Sequence, residues 1–317
     1  MPSSLPRVTR RAVLAAMGVS LAALATSCEG PQAARPSVGA PQELLPAPVD
    51  SATASPAPTP APTPAPTKSL LREFSVADRK AVESRFTGHV PHDWGLAIPG
   101  LVTRTPSTAV ALTFDACGGP GGAGFDKQLI ETLRKLHVPA TFFLNSRWIQ
   151  ANRSLSAELA ADPLFEIGNH GTAHVPLSVT GRSAYGIRGT SSVGAVLDEL
   201  LGNAPHVHEL AGSPVPWFRP GTAYYDDVAV GVTSAVGLVP VNFAVNADAG
   251  ATLPAPKVAS ILGGVKAGDI VISHMNQPSS GTSAGYAAAL PGLLGRGLHF
   301  TTLSQSGLTV PSVPPPA

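Results

Sequence analysis

The clearest pattern along the chain is an alternation of short apolar runs with segments in which apolar residues recur three and four apart. The runs predict strands at residues 109–114, 140–144, 165–168, 217–219, 239–244 and 270–273. The second kind predicts helices at 126–137, 191–201, 226–236 and 256–265. In the first helix Leu129, Leu133 and Leu136 share a face with Ile130, and Asp126 stands where an N-cap belongs. A repeated strand-then-helix order predicts an α/β fold on a mostly parallel sheet, which places reactive side chains at the carboxyl ends of its strands.

Ahead of this pattern the chain is organised differently. Thr9, Arg10 and Arg11 lead into an apolar run over residues 12–25, too short for a stable membrane span. Twin arginines suggest export of an already folded protein. The run ends in Leu24-Ala25-Thr26-Ser27-Cys28, which resembles the lipobox of bacterial lipoproteins, where the cysteine is lipidated and becomes the first mature residue. Residues 1–28 are therefore expected to be a twin-arginine, lipoprotein-like signal peptide. The protein is expected at the outer face of the cell membrane through a lipid on Cys28, or secreted if cleavage follows Ala25.

Residues 29–68 form a Pro-, Ala- and Thr-rich linker that ends in an Ala-Pro-Thr-Pro repeat. Such a tract cannot bury enough apolar surface to fold, and proline biases it toward a stiff polyproline II spacer. Residues 69–107 read as an N-terminal extension with one amphipathic stretch at 77–86. The catalytic domain is expected at 108–307, and 308–317 is a Pro-rich tail.

Charge and composition narrow the partners. Lys and Arg number 21 against 20 Asp and Glu, a net charge of +1, so no global field draws the chain to nucleic acid. Only 13% of residues are charged and 44% are hydrophobic, with 32 glycines and 33 prolines, which predicts a loop-rich fold with a small-residue core. Of the two cysteines, Cys28 belongs to the export segment. Cys117 is then alone in the mature domain, and no disulfide staples it.

Candidate chemistry falls where strands are expected to end. Asp115 follows an apolar run and precedes Ala116, Cys117, Gly118 and Gly119; a partly desolvated carboxylate there suits general-base work. His170 and His174 lie four apart in Asn169-His170-Gly171-Thr172-Ala173-His174, a spacing that can aim two imidazoles at one ion or simply mark two surface histidines. Arg219 closes Trp217-Phe218-Arg219, with a guanidinium able to grip a carboxylate bidentately. Asp248 follows Asn246-Ala247, and His274 ends an apolar strand, where a core histidine is as good a reading as a catalyst. His206 and His208 cluster with nothing and are read as surface residues.

In this order, the five clusters resemble the polysaccharide deacetylases, the carbohydrate esterase family 4 group that shares the NodB homology domain. The resemblance spans about residues 110–303. That family shows a TFDDG loop, an H(S/T)xxH pair, an RxPY strand end, an acidic residue near a tryptophan and a final LxH, on a distorted (β/α) barrel. The resemblance implies Asp115 as the catalytic base and His170 and His174 as ligands of a divalent metal ion, zinc for preference. It implies His274 as the general acid, with Arg219 and Asp248 setting the charges of base and acid.

The chain departs from the family pattern in three places. Ala116 stands where the family has its metal-binding aspartate, so the usual carboxylate ligand is gone. Cys117 is the nearest soft donor and Asp126 the nearest hard one; the first is expected to pack as a small hydrophobe and the second to cap a helix. Gly221 and Thr222 replace the Tyr-containing turn after Arg219-Pro220, which reshapes the loop that lines the oxyanion site. No tryptophan follows Asp248, leaving a smaller or more polar acetyl pocket.

The function these residues imply is removal of N-acetyl groups from a cell-envelope or extracellular polysaccharide by an exported hydrolase. Ala116 is equally what a catalytically silent wall-binding lipoprotein on the same fold would carry. Retention of both Asp115 and His274 favours the enzyme. An ester or a small amide as substrate is the third reading.

Overall fold

The computed structural model describes residues 75–310. The expected signal peptide and linker, and the last seven residues of the tail, lie outside them. Among the described residues no helix is long and apolar enough to cross a membrane.

The sheet has eight strands: β1 (Val110–Ala116), β2 (Ala140–Leu144), β3 (Phe165–Asn169), β4 (Trp217–Phe218), β5 (Val239–Pro240), β6 (Val245–Asn246), β7 (Ile270–His274) and β8 (Phe300–Thr301). Their order is β6-β7-β1-β2-β3-β4-β5, with β8 also beside β1, and every pairing is parallel. The sheet curls into an open half-barrel flanked by helices, the deacetylase type of (β/α) barrel.

Helices α1 (Val76–Phe86), α2 (Lys127–Lys135), α3 (Ser146–Ala151), α4 (Arg153–Ala161), α5 (Val193–Leu201), α6 (Ala204–Ala211), α7 (Asp227–Ala235), α8 (Ala255–Leu262) and α9 (Thr282–Gly295) surround it. Asp126 does cap α2, accepting the Leu129 amide at 3.1 Å. Leu129, Ile130 and Leu133 of that helix are fully buried against the sheet, each worth about 1.5–3 kcal/mol of transfer free energy. Val82 and Phe86 of α1 pack with Val196 and Leu197 of α5 and Val228 and Val232 of α7 in a second apolar cluster.

Two differences from the sequence pattern have physical causes. The run at 239–244 is not one strand: Val239 and Pro240 pair with β4 at one edge of the sheet, while Val245 and Asn246 pair with β7 at the other. Residues 241–244 carry the chain across the gap that leaves the barrel open. Of these residues Val241 is fully covered and Phe243 packs partly buried beside it, while Ala244 is exposed. The second difference is α9, in which Pro291 and several glycines hide a helix. Tertiary packing overrides propensity here: Tyr286, Leu290 and Leu293 are buried in the main core, and Gly285 lets the helix press against Val258 of α8.

Candidate active site

The side chains of β1 alternate across the sheet. Leu112, Phe114 and Ala116 enter the core beneath the helices, whereas Thr113 and Asp115 face the opposite side, where both meet the Arg219 guanidinium. Cys117 continues that second face, and its Sγ lies 3.9 Å from Nε2 of His170. The chain then turns away through Gly118 at φ 69°, where a Cβ would strike the backbone of Arg147 and Trp148.

His170 follows the last residue of β3 and is completely buried. Its Nδ1 donates to the Arg219 carbonyl at 2.9 Å, which leaves the Nε2 lone pair directed at Cys117 and, 3.6 Å away, at Oδ2 of Asp115. His174 sits at φ 61°, an uncommon conformation for a residue with a side chain. Two contacts hold it there. The Glu199 carboxylate accepts the Ala173 and His174 amides at 2.7 and 2.9 Å, and Gly221 packs on the imidazole so closely that a Cβ would overlap it. The two imidazoles lie edge to face with centroids 5.1 Å apart.

Arg219, fully buried at the end of β4, gives one Nη1 hydrogen bond to Oδ1 of Asp115 at 2.8 Å and another to Thr113 at 2.9 Å. Its Nη2 goes to the Asn242 carbonyl, and the guanidinium lies 4.3 Å over the Phe143 ring. The grip on the carboxylate is therefore through a single oxygen, not the bidentate fork expected. Oδ2 of Asp115 stays free to face the histidine.

Opposite it, His274 ends β7 in direct register with Asp115. Its Nδ1 lies 3.0 Å from Oδ1 of Asp248, whose Oδ2 takes the His274 amide at 2.7 Å and the Thr282 hydroxyl at 3.0 Å. His206 and His208 sit apart from this cluster on α6.

Electrostatics separates the groups. For Asp115, burial alone would raise the pKa, but the Arg219 guanidinium, with the neighbouring His170 and His274 imidazoles, brings it below the usual carboxylate value. Burial would lower His274, yet the hydrogen bond and charge of Asp248 carry it above the ordinary histidine value. Desolvation holds His170 down, and desolvation, with the adjacent His170 imidazole and the Arg147 guanidinium, holds His174 at about 3, so both imidazoles are neutral near pH 7. Desolvation and the Asp115 and Asp248 charges push the Cys117 thiol up.

Neutral imidazoles suit a divalent ion, and the donor set fits one. Nε2 of His174 is buried without a hydrogen-bond partner, and the donor atoms of Cys117, His170 and His174 all lie within 4.8 Å of one another. Cys117 is thus not the small packing residue expected, because the alternation of β1 turns it away from the core. Glu199 escaped the sequence pattern as well. The signal was a carboxylate on the apolar face of α5, flanked by Leu197 and Leu200; it is 3% exposed.

A polysaccharide deacetylase family model matches residues 103–241, a span that holds Asp115, His170, His174 and Arg219 and stops short of Asp248 and His274. A bifunctional xylanase/deacetylase of Pseudobutyrivibrio xylanivorans is 26% identical over 197 residues, 62% of this chain and 30% of that relative. The chain spans less than half the length of the curated relatives it matches. Among solved structures, a carbohydrate esterase family 4 pseudoenzyme from Bacillus anthracis aligns with TM-score 0.55 and 21% identity, covering 66% of this chain and 69% of that one. A family 4 acetyl xylan esterase from Clostridium thermocellum, solved with a cobalt ion, aligns with TM-score 0.50 and 23% identity over 62% and 88% of the two chains. These structural likenesses speak for the fold, and the family match makes residues 103–241, the stretch that carries Asp115, His170, His174 and Arg219, similar to the polysaccharide deacetylases.

Proposed function

We propose that the protein is an exported, metal-dependent hydrolase that removes N-acetyl groups from a cell-envelope or extracellular polysaccharide. The observation that carries this reading is the pairing of Asp115 with His274. The two lie in register on adjacent strands, at the same end of the sheet, with pKa values displaced in opposite directions. An ionised carboxylate facing a protonated imidazole is what base-then-acid chemistry requires.

In this reading Asp115 accepts the proton of the attacking water through Oδ2, while Arg219 holds Oδ1 and keeps the carboxylate ionised. His274 donates its proton to the departing amine, and Asp248 keeps that proton in place through Nδ1. A divalent ion held by His170 and His174, zinc for preference, would supply Lewis-acid polarisation of the acetamide carbonyl. The twin-arginine segment and Cys28 support delivery to the outer face of the membrane, with a lipid on Cys28 as the anchor and the proline-rich linker as the spacer.

Ala116 favours a second reading, a silent wall-binding protein on the same fold. Acetate release from acetylated peptidoglycan, chitin and xylan fragments, measured beside the metal content of the purified chain, separates the two. Release that vanishes in Asp115→Asn and His170→Ala supports the hydrolase. Tight glycan binding with no release from any substrate, in a protein supplied with metal, would leave the binder.

A further inference from the structure

Three observations converge on Cys117. The period-two alternation of β1 puts Thr113 and Asp115 on the face where Arg219 meets them, Ala116 in the opposite core, and Cys117 back on the site face. Its Sγ lies 3.9 Å from His170 Nε2, close to the separation of about 3.6 Å that a sulfur and a nitrogen have on one tetrahedral zinc. The third donor, Nε2 of His174, is buried, has no hydrogen-bond partner and lies within 4.8 Å of the other two. Burying an imidazole nitrogen without a partner is costly unless something occupies its lone pair.

The surroundings fix these donors and not others. Asp115 is drawn off by Arg219, and Asp126 is turned into the cap of α2. His170 is locked in the tautomer that leaves Nε2 free, His174 is held by Glu199 and Gly221, and Cys117 is fixed by the turn at Gly118.

We propose that Cys117 is the third protein ligand of the metal, forming with His170 and His174 a Cys-His-His centre that prefers zinc or cobalt to magnesium, calcium or manganese. The proposal rests on the metal-dependent reading above. A thiolate and two imidazoles form a softer set than a carboxylate with two imidazoles, which is the source of the selectivity. As the sulfur–metal bond forms, the thiol proton leaves to solvent.

The test uses the full chain carrying Cys28→Ser, so that Cys117 is the one remaining cysteine. It is stripped with a chelator and titrated with cobalt(II). The expected result is binding of one equivalent with intense visible bands of a tetrahedral ion and a near-ultraviolet thiolate-to-cobalt charge-transfer band. Magnesium and manganese in excess leave both bands in place. Adding Cys117→Ser removes the ultraviolet band and weakens cobalt binding by at least about 100-fold, since a lost ligand costs more than a lost outer-shell partner. Cys117→Asp, which keeps a ligand at the position, binds without the ultraviolet band and tolerates manganese better than the parent.

Visible cobalt bands without the ultraviolet band in the parent protein would overturn the role of Cys117 and leave the histidine site, and the hydrolase reading, standing. A protein of native circular dichroism that takes up no cobalt or zinc overturns both.

Discussion

The Nδ1 atom of His274 lies 3.0 Å from Oδ1 of Asp248, and the other oxygen of the same carboxylate holds the His274 amide at 2.7 Å. Ring and backbone are thereby tied to one buried anion. This fixes the imidazole orientation and raises its proton affinity against the pull of burial.

The pH profile follows from that relationship. The proposed hydrolysis requires Asp115 ionised and His274 protonated, so activity should rise through a pKa below the ordinary carboxylate value and fall through one above the ordinary histidine value. Asp248→Asn removes the charge that lifts His274, and the alkaline limb of kcat/KM should move to lower pH while the acid limb stays. The ion pair also stabilises the fold fully below the pKa of an unfolded histidine and loses its contribution as pH rises through the raised value. Thermal midpoints measured across neutral and alkaline pH should therefore converge for the two proteins at high pH.

Asp115→Asn leaves an oxygen that Arg219 can still bond but removes the base. The expected loss in kcat is about 100- to 10,000-fold, with the melting temperature much less affected. Acetate release and calorimetry on the same preparation decide it; activity within tenfold of the parent would remove Asp115 from the role of base.

Glu199 holds the His174 loop by two backbone amides. Glu199→Ala should release the left-handed conformation at His174 and weaken metal binding by about 10- to 100-fold, in the manner of other outer-shell partners. A competition titration against a chromogenic chelator reads this out. Unchanged affinity would mean that packing by Gly221 alone positions the imidazole.

Gly221→Ala pushes a methyl group into the His174 ring and backbone. Overpacking of this kind costs about 1–3 kcal/mol. The variant should melt earlier and lose metal affinity together, whereas Gly212→Ala, at a helix end with open space around it, should lose stability without losing metal.

Asp115, His170, His174, Arg219 and His274 are legible in the ordered motifs of the chain, because each follows an apolar strand and parallel sheets collect strand ends on one side. Cys117 is half-legible. Alternation along residues 112–117 is written in the sequence, but reading it requires knowing which face of β1 meets the helices. Glu199 is not legible as a site residue, since its target is the backbone of a loop 25 residues earlier in the chain.

What the sequence determined alone was local: the strands and amphipathic helices of an α/β domain, the cap at Asp126, and the residue types that the proposed base, acid and metal ligands require. Tertiary structure decided which donors converge. The curl of the sheet brought β1, β3, β4 and β7 together so that Arg219 could claim one oxygen of Asp115 and leave the other exposed to His170. It also set Cys117 beside two neutral histidines. Distances of a few ångströms between residues more than fifty positions apart are fixed by packing and burial, which no local pattern encodes.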